Sequence, residues 1–128
     1  MAQTSAPGSS DPADIIRPAI ECGKRLGLTL GETASMLGYN NPALVHWQTL
    51  ERDLVVEHKG RDVLNRSIFA ASIYGDVNRR FGDKAGAMNN WLNARLGDFM
   101  NKPVREVLAY GTVDDLRSLL SILHRMPM

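Results

Sequence analysis

From Ala13 onward, apolar residues recur at three- and four-residue intervals in nearly every segment of the chain, the spacing of amphipathic helices. Ile15, Ile16, Ala19, Ile20 and Leu26 mark a first helix capped by Asp14. Pro18 falls within its first turn, where a missing N–H is harmless. Thr29-Leu30-Gly31-Glu32 has the capping-box spacing and opens a short second helix that stops at Gly38, suited to a left-handed cap. Asn41 followed by Pro42 predicts the start of a third helix after a short turn. Leu54-Val55-Val56 is expected to be a brief extended piece. A long helix is predicted over 61–81, with Val63, Leu64, Ile68, Ala71, Tyr74, Val77 and Phe81 on its apolar side. Gly82-Asp83 breaks it, and Asp83 is expected to cap a helix carrying Met88, Trp91, Leu92 and Leu96 and ending at Gly97. Pro103 opens a helix with Val104, Val107 and Leu108, closed by Gly111. Thr112 caps the last one, which runs to about Arg125 with Leu116, Leu119, Leu120 and Leu123 as its stripe. Asp114 and Asp115 at its start and His124 and Arg125 at its end suit the helix dipole. The fold class is therefore all-α, with six or seven helices.

At 128 residues the chain is about one domain's worth of protein, with 44% hydrophobic and 23% charged residues, as in globular proteins. No apolar run approaches the ~20 residues that span a bilayer. The start of the sequence, MAQTSAPGSSDP, lacks the layout of a signal peptide. One cysteine, Cys22, forms no internal disulfide, so a reducing, cytoplasmic setting is expected. The net charge of +1 hides an asymmetry. Through Glu57 four basic residues meet seven acidic ones; from His58 onward eleven meet seven. Residues 1–13, small and polar, predict a flexible tail, 14–57 one helical unit and 58–128 a second.

Candidate chemistry is sparse. His46, His58 and His124 are far apart and pair with no cysteine in metal-ligand spacing, and the glycines sit where helices end. Cys22 lies on an apolar helix face, where an inert buried thiol is expected. Asp114-Asp115 is what a helix N-terminus favours without any catalytic role. No catalytic residue, metal or cofactor is predicted. Trp47 and Trp91 are expected in the core, Met88, Met100 and Met126 as adaptable packing, and Arg79-Arg80 with Lys84 as a solvated helix end.

The strongest local pattern lies between Leu30 and Thr49. Ala34 four residues before Gly38, with Leu37, Tyr39, Leu44 and Trp47 packing beneath, is the layout of a helix-turn-helix whose second helix enters the DNA major groove. Its outward residues would be Asn40, Asn41, Val45, His46, Gln48 and Thr49. Asn and Gln pair with adenine, and Val and Thr meet the thymine methyl. The same pattern also fits a corner used only for packing, because this helix has no Lys or Arg before Arg52. Phosphate contacts would then come from Lys24, Arg25, Lys59 and Arg61, or binding would be weak and dimer-dependent.

From Val63 onward, Arg66-Ser67-Ile68-Phe69-Ala70, Phe81-Gly82-Asp83, Trp91-Leu92, Gly97, Lys102-Pro103, Val107-Leu108, Gly111 and Leu119-Leu120 resemble the toxin-binding domain of Xre/MbcA/ParS-type antitoxins. With the helix-turn-helix ahead of it, the resemblance covers about 14–123. It implies a type II antitoxin whose partner is a RES-domain toxin that consumes NAD or ADP-ribosylates a target. The rear unit would cover the toxin's active site, the front unit would bind operator DNA and repress the operon, and the chain would be a homodimer within the toxin–antitoxin complex. On that resemblance Arg105, Arg117, His124 and Arg125 are the candidate toxin-facing groups. Two other readings stay open: a stand-alone helix-turn-helix regulator without a toxin, and an interaction module that never touches DNA.

Overall fold

The computed structural model of the chain describes residues 12–41, 43–57, 61–84 and 86–126. The tail expected over 1–13 lies outside them except for Pro12 and Ala13, and so do Pro42, His58, Lys59 and the end Pro127-Met128. Among the described residues the protein is all-α, with seven α-helices and one two-residue hairpin.

Helix α1 (Pro12–Leu26) buries Ala13, Ile16, Ala19, Ile20 and Leu26 on one side. It starts two residues before the expected cap at Asp14, so Pro18 lies beyond the first turn, on the exposed side. Helix α2 (Leu30–Met36) opens with the predicted capping box: the Thr29 hydroxyl accepts from the Glu32 N–H, and the Glu32 carboxylate accepts from the Thr29 N–H. It closes at Gly38, which has φ +83°. The Gly38 N–H bonds to the Ser35 carbonyl and the Tyr39 N–H to that of Ala34, the Schellman arrangement. A side chain here would be strained by the positive φ and would meet the Asp62 carboxylate at 2.7 Å. Gly23 has a different reason to be glycine, since a Cβ would stand 2.5 Å from the Thr33 side chain, where α1 passes closest to α2.

Helix α3 (Trp47–Arg52) begins later than the Asn41-Pro42 pattern predicts. The Asn41 side chain does cap, accepting from the Ala43 N–H at 3.0 Å, and the Leu44 N–H bonds to the Asn41 carbonyl. That closes a single turn only. His46 is extended (φ −132°, ψ 142°), and the winding starts afresh behind it. Tertiary bonding accounts for the detour. The buried Tyr39 hydroxyl donates to the Asp53 carboxylate at 2.5 Å, and Asn41 Nδ2 donates to the same hydroxyl at 3.3 Å, which ties Tyr39 and Asn41 to the residue that follows α3. The segment Asp53–Glu57, expected to be extended, is a turn of π-helix that buries Leu54.

Helix α4 (Arg61–Phe81) matches its predicted bounds, is about 31 Å long, and forms the spine of the molecule. Val63, Ala70, Ile73 and Val77 face inward, with α1 packed on it over one stretch and α7 over another. Its end departs from expectation. Arg80 is buried rather than solvated, donating to Asp76 at 3.2 Å and to the Met126 carbonyl at 2.9 Å, while Arg79, exposed, pairs with the other oxygen of Asp76. Helix α5 (Ala87–Asn93) starts after Gly86, whose left-handed φ of +76° stops the helix from reaching back to Asp83. It ends at Asn93, before Leu96 and Gly97, which belong to a hairpin. Strand β1 (Arg95–Leu96) pairs antiparallel with β2 (Lys102–Pro103), Arg95 opposite Pro103, around a 3₁₀ turn at Gly97–Phe99. Helix α6 (Val104–Tyr110) packs on α2, and α7 (Val113–Arg125) starts with a second capping box between Thr112 and Asp115.

The buried residues form one cluster that draws on both sides of position 57, from Ile16, Leu37 and Leu50 to Ile73, Leu108 and Leu123. Trp91 belongs to it, and Trp47 packs against its edge, half-buried. A third kind of bond ties the short helices to α4. Arg66, mostly buried, pairs with Asp62 at 3.0 Å and donates to the Gly111 carbonyl at 3.0 Å and the Met36 carbonyl at 3.4 Å. Arg66→Ala strands both carbonyls, and we expect it to lower stability by about 2–3 kcal/mol in urea unfolding. The exposed change Lys84→Ala should cost less than about 0.5 kcal/mol. Equal losses would show that the Arg66 bonds contribute nothing net.

Candidate partner-binding surface

The six residues expected to face DNA do not share one helix. Asn40, Asn41, Val45 and His46 lie in the connection before α3, and only Gln48 and Thr49 are on it. Asn41 is engaged in holding the connection. Val45 (70% exposed), His46 and Gln48 stand out into solvent, and Thr49 is half-buried. Cations reach this strip from α1: the Lys24 ammonium lies 5.1 Å from the centre of the Trp47 ring, and Arg25 beside it is exposed. Arg17, on the same helix, is paired with Glu51 at 3.2 Å.

The four basic residues expected to face a toxin divide as well. Arg105 points into the protein. Its Nε and one Nη donate to the two oxygens of Glu32, each at 3.0 Å, and that Nη also reaches the Gly27 carbonyl at 3.3 Å. This two-pronged bond holds the Glu32 carboxyl below its usual pKa and pushes that of Arg105 up. Arg105 is a clasp between α6 and the start of α2, not an outward contact. Arg117, His124 and Arg125 are exposed on one side of α7. Arg117 pairs with Asp114 at 2.8 Å and lies 5.5 Å from the Phe69 ring centre, and Arg125 bonds back to the Ser121 carbonyl.

Besides Val45, large apolar exposure falls on residues the sequence pattern did not mark as outward. Met100, expected to pack, is 86% exposed, and Tyr110, the last residue of α6, is 69% exposed. Met100 (φ 59°) and Asn101 (φ 64°) are both left-handed. Asn tolerates that region, whereas a Met there costs about 1–2 kcal/mol. The turn is nonetheless held firmly: the Asn101 N–H bonds to the Leu96 carbonyl at 2.9 Å, and Arg95 donates to the Asn101 carbonyl at 3.1 Å. Between this turn, α6 and the start of α7 lies an open groove of about 620 Å³ bordered by Phe99, Met100 and Tyr110. A second groove, of about 530 Å³, shares Asp98, Phe99 and Asp115 with it and continues along α7 past Arg117 to Arg125. The surface thus runs unbroken from Tyr110 to Arg125. A sequence signal did exist for part of it, since Gly97 six residues before Pro103 marks a tight reversal, but nothing in the pattern says which side chain the reversal presents.

Other chemistry stays internal. Cys22 is buried, and burial pushes its thiol up to about 11, so it is protonated near neutral pH. No group of three or more His, Cys, Asp or Glu among the described residues is arranged to hold a metal, and no described helix is long and apolar enough to cross a membrane. No protein-family model and no curated protein matches this chain.

The Glu32–Arg105 clasp makes stability depend on pH. Because the folded state lowers the Glu32 pKa, the bond contributes above the unfolded carboxylate value of about 4.3 and is lost as pH falls through the lower folded value. The stability gap between wild type and Glu32→Gln, from urea midpoints, should be widest near pH 7 and narrow below about pH 4. A gap that does not change with pH would mean the Glu32 charge adds nothing.

Proposed function

We propose that this chain is a type II antitoxin that neutralises a RES-domain toxin by covering its active site, and that it represses its own operon as a homodimer. The observation that carries this reading is the continuous surface from Tyr110 to Arg125. It combines exposed apolar side chains with charged neighbours on a firmly held turn, the composition of a protein-binding patch. All of it up to Leu120 lies within the segment whose residues resemble the antitoxin toxin-binding domain, from Trp91-Leu92 to Leu119-Leu120.

The operator-binding half rests on the exposed strip Val45, His46 and Gln48 beside Lys24 and Arg25. So few cations per chain give weak contact, which pairing two chains on a symmetric site would double.

The proposal requires a RES-domain toxin gene beside this one; co-expression of the chain with that toxin should restore growth that the toxin alone arrests, and the two should co-purify. Arrest that persists with folded chain present would overturn the reading. In gel shifts on the upstream DNA, His46→Ala with Lys24→Glu should weaken binding while growth rescue persists. DNA binding by a chain that neither rescues growth nor co-purifies would favour a stand-alone regulator.

A further inference from the structure

We infer that Met100 and Tyr110 are the apolar anchors of this surface, and that they seat in a partner cleft with an apolar wall and a cationic rim. The inference rests on the antitoxin reading for the identity of the partner, and it departs from the expectation that basic groups lead the contact. Met100 is the most exposed large apolar side chain among the described residues, and its backbone is left-handed although a Met gains nothing from that conformation. The turn that bears it is pinned at both ends by the β1–β2 pairing and by the bonds of Asn101, so presenting Met100 to a partner loses little further freedom. Tyr110 stands across the same groove at the end of α6, a rigid amphipathic ring of the kind that dominates binding energy at interface centres.

Charge commits the occupant. The rear segment of the chain is basic as a whole, yet the groove between the two anchors is bordered by Asp98, Glu106 and Asp115 against Lys102 alone. Among the described residues neither Asp98 nor Glu106 forms an ion pair, whereas Asp115 is partly occupied in capping α7. Arg95 stands at the foot of the turn on the Asn101 carbonyl, so the excess of negative charge belongs to the groove between the anchors, which disfavours nucleic acid there and favours a protein cleft lined with Lys or Arg. A cleft built to hold the phosphates of a dinucleotide has that rim. The arginines of α7 lie at the far end of the surface, where they meet the partner outside its cleft.

The test uses the full chain and, as probe, the RES-domain toxin that the proposed function requires in the neighbouring gene, with Kd measured by calorimetry at two salt concentrations. Met100→Asp and Tyr110→Ser, both at exposed positions, should each weaken binding by about 30-fold or more. Asp98→Lys combined with Glu106→Lys should also weaken it, and raising the salt should weaken wild type more than this variant. Circular dichroism and urea midpoints check that each variant folds. Full affinity in the two anchor variants overturns the anchor assignment, and tighter binding by the charge-reversed variant overturns the cationic rim. If the anchor changes instead dissociate a homodimer seen by sedimentation, the patch is a contact between copies and the inference fails. If wild type itself does not bind the probe, the antitoxin reading fails first and takes this inference with it.

Discussion

The last turn of a helix leaves carbonyls without an intrahelical partner, and at four helix ends of this protein an arginine side chain from another element supplies one. Arg66 reaches from α4 to the Met36 and Gly111 carbonyls at the ends of α2 and α6, Arg80 to that of Met126 beyond α7, and Arg105 to that of Gly27 beyond α1. Each arginine has its own carboxylate, Asp62, Asp76 and Glu32 respectively, so no buried charge is left uncompensated. Four helix ends are thereby fixed relative to α4 or α2. Hydrophobic burial would bring these helices together without setting where each one stops.

That fixing of ends matters for the surface. Tyr110 is the last residue of α6, one position before the Gly111 carbonyl that Arg66 holds. The hairpin bearing Met100 is tied to the N-terminus of the same helix, where the Val104 N–H bonds to the Ala94 carbonyl at 2.9 Å. Of the two prominent apolar groups on this face, Tyr110 is thus carried by a short helix braced at both ends and Met100 by a hairpin tied to that helix. Such bracing presents exposed side chains rigidly, which limits the freedom they would lose on meeting a partner.

The distribution of charge separates the two halves of the functional reading. Cations beside the α3 strip come from α1, and the anchors on the opposite segment sit among carboxylates. On the proposed function, opposite local fields would keep a polyanion and a cationic cleft at different places on one small molecule, with little competition between them.

The existence and kind of most elements were written in the sequence itself. Period and capping depend on residues three or four apart, so the Thr29 capping box, the Thr112 cap, the Gly38 stop and the bounds of α4 followed from local rules. The candidate surface was legible only in part: Arg117, His124 and Arg125 did lie outward on α7, while Arg105 and Arg80 turned in and Met100 turned out. Those outcomes depend on which distant group arrives within 3 Å of a side chain. Tyr39 meeting Asp53 delayed α3 past Asn41, and Glu32 took the guanidinium that charge alone would have given to solvent. Local sequence sets how each stretch winds; only the assembled helices decide which polar groups find partners inside and which face a partner outside, because that choice is made by contacts between residues far apart in the chain.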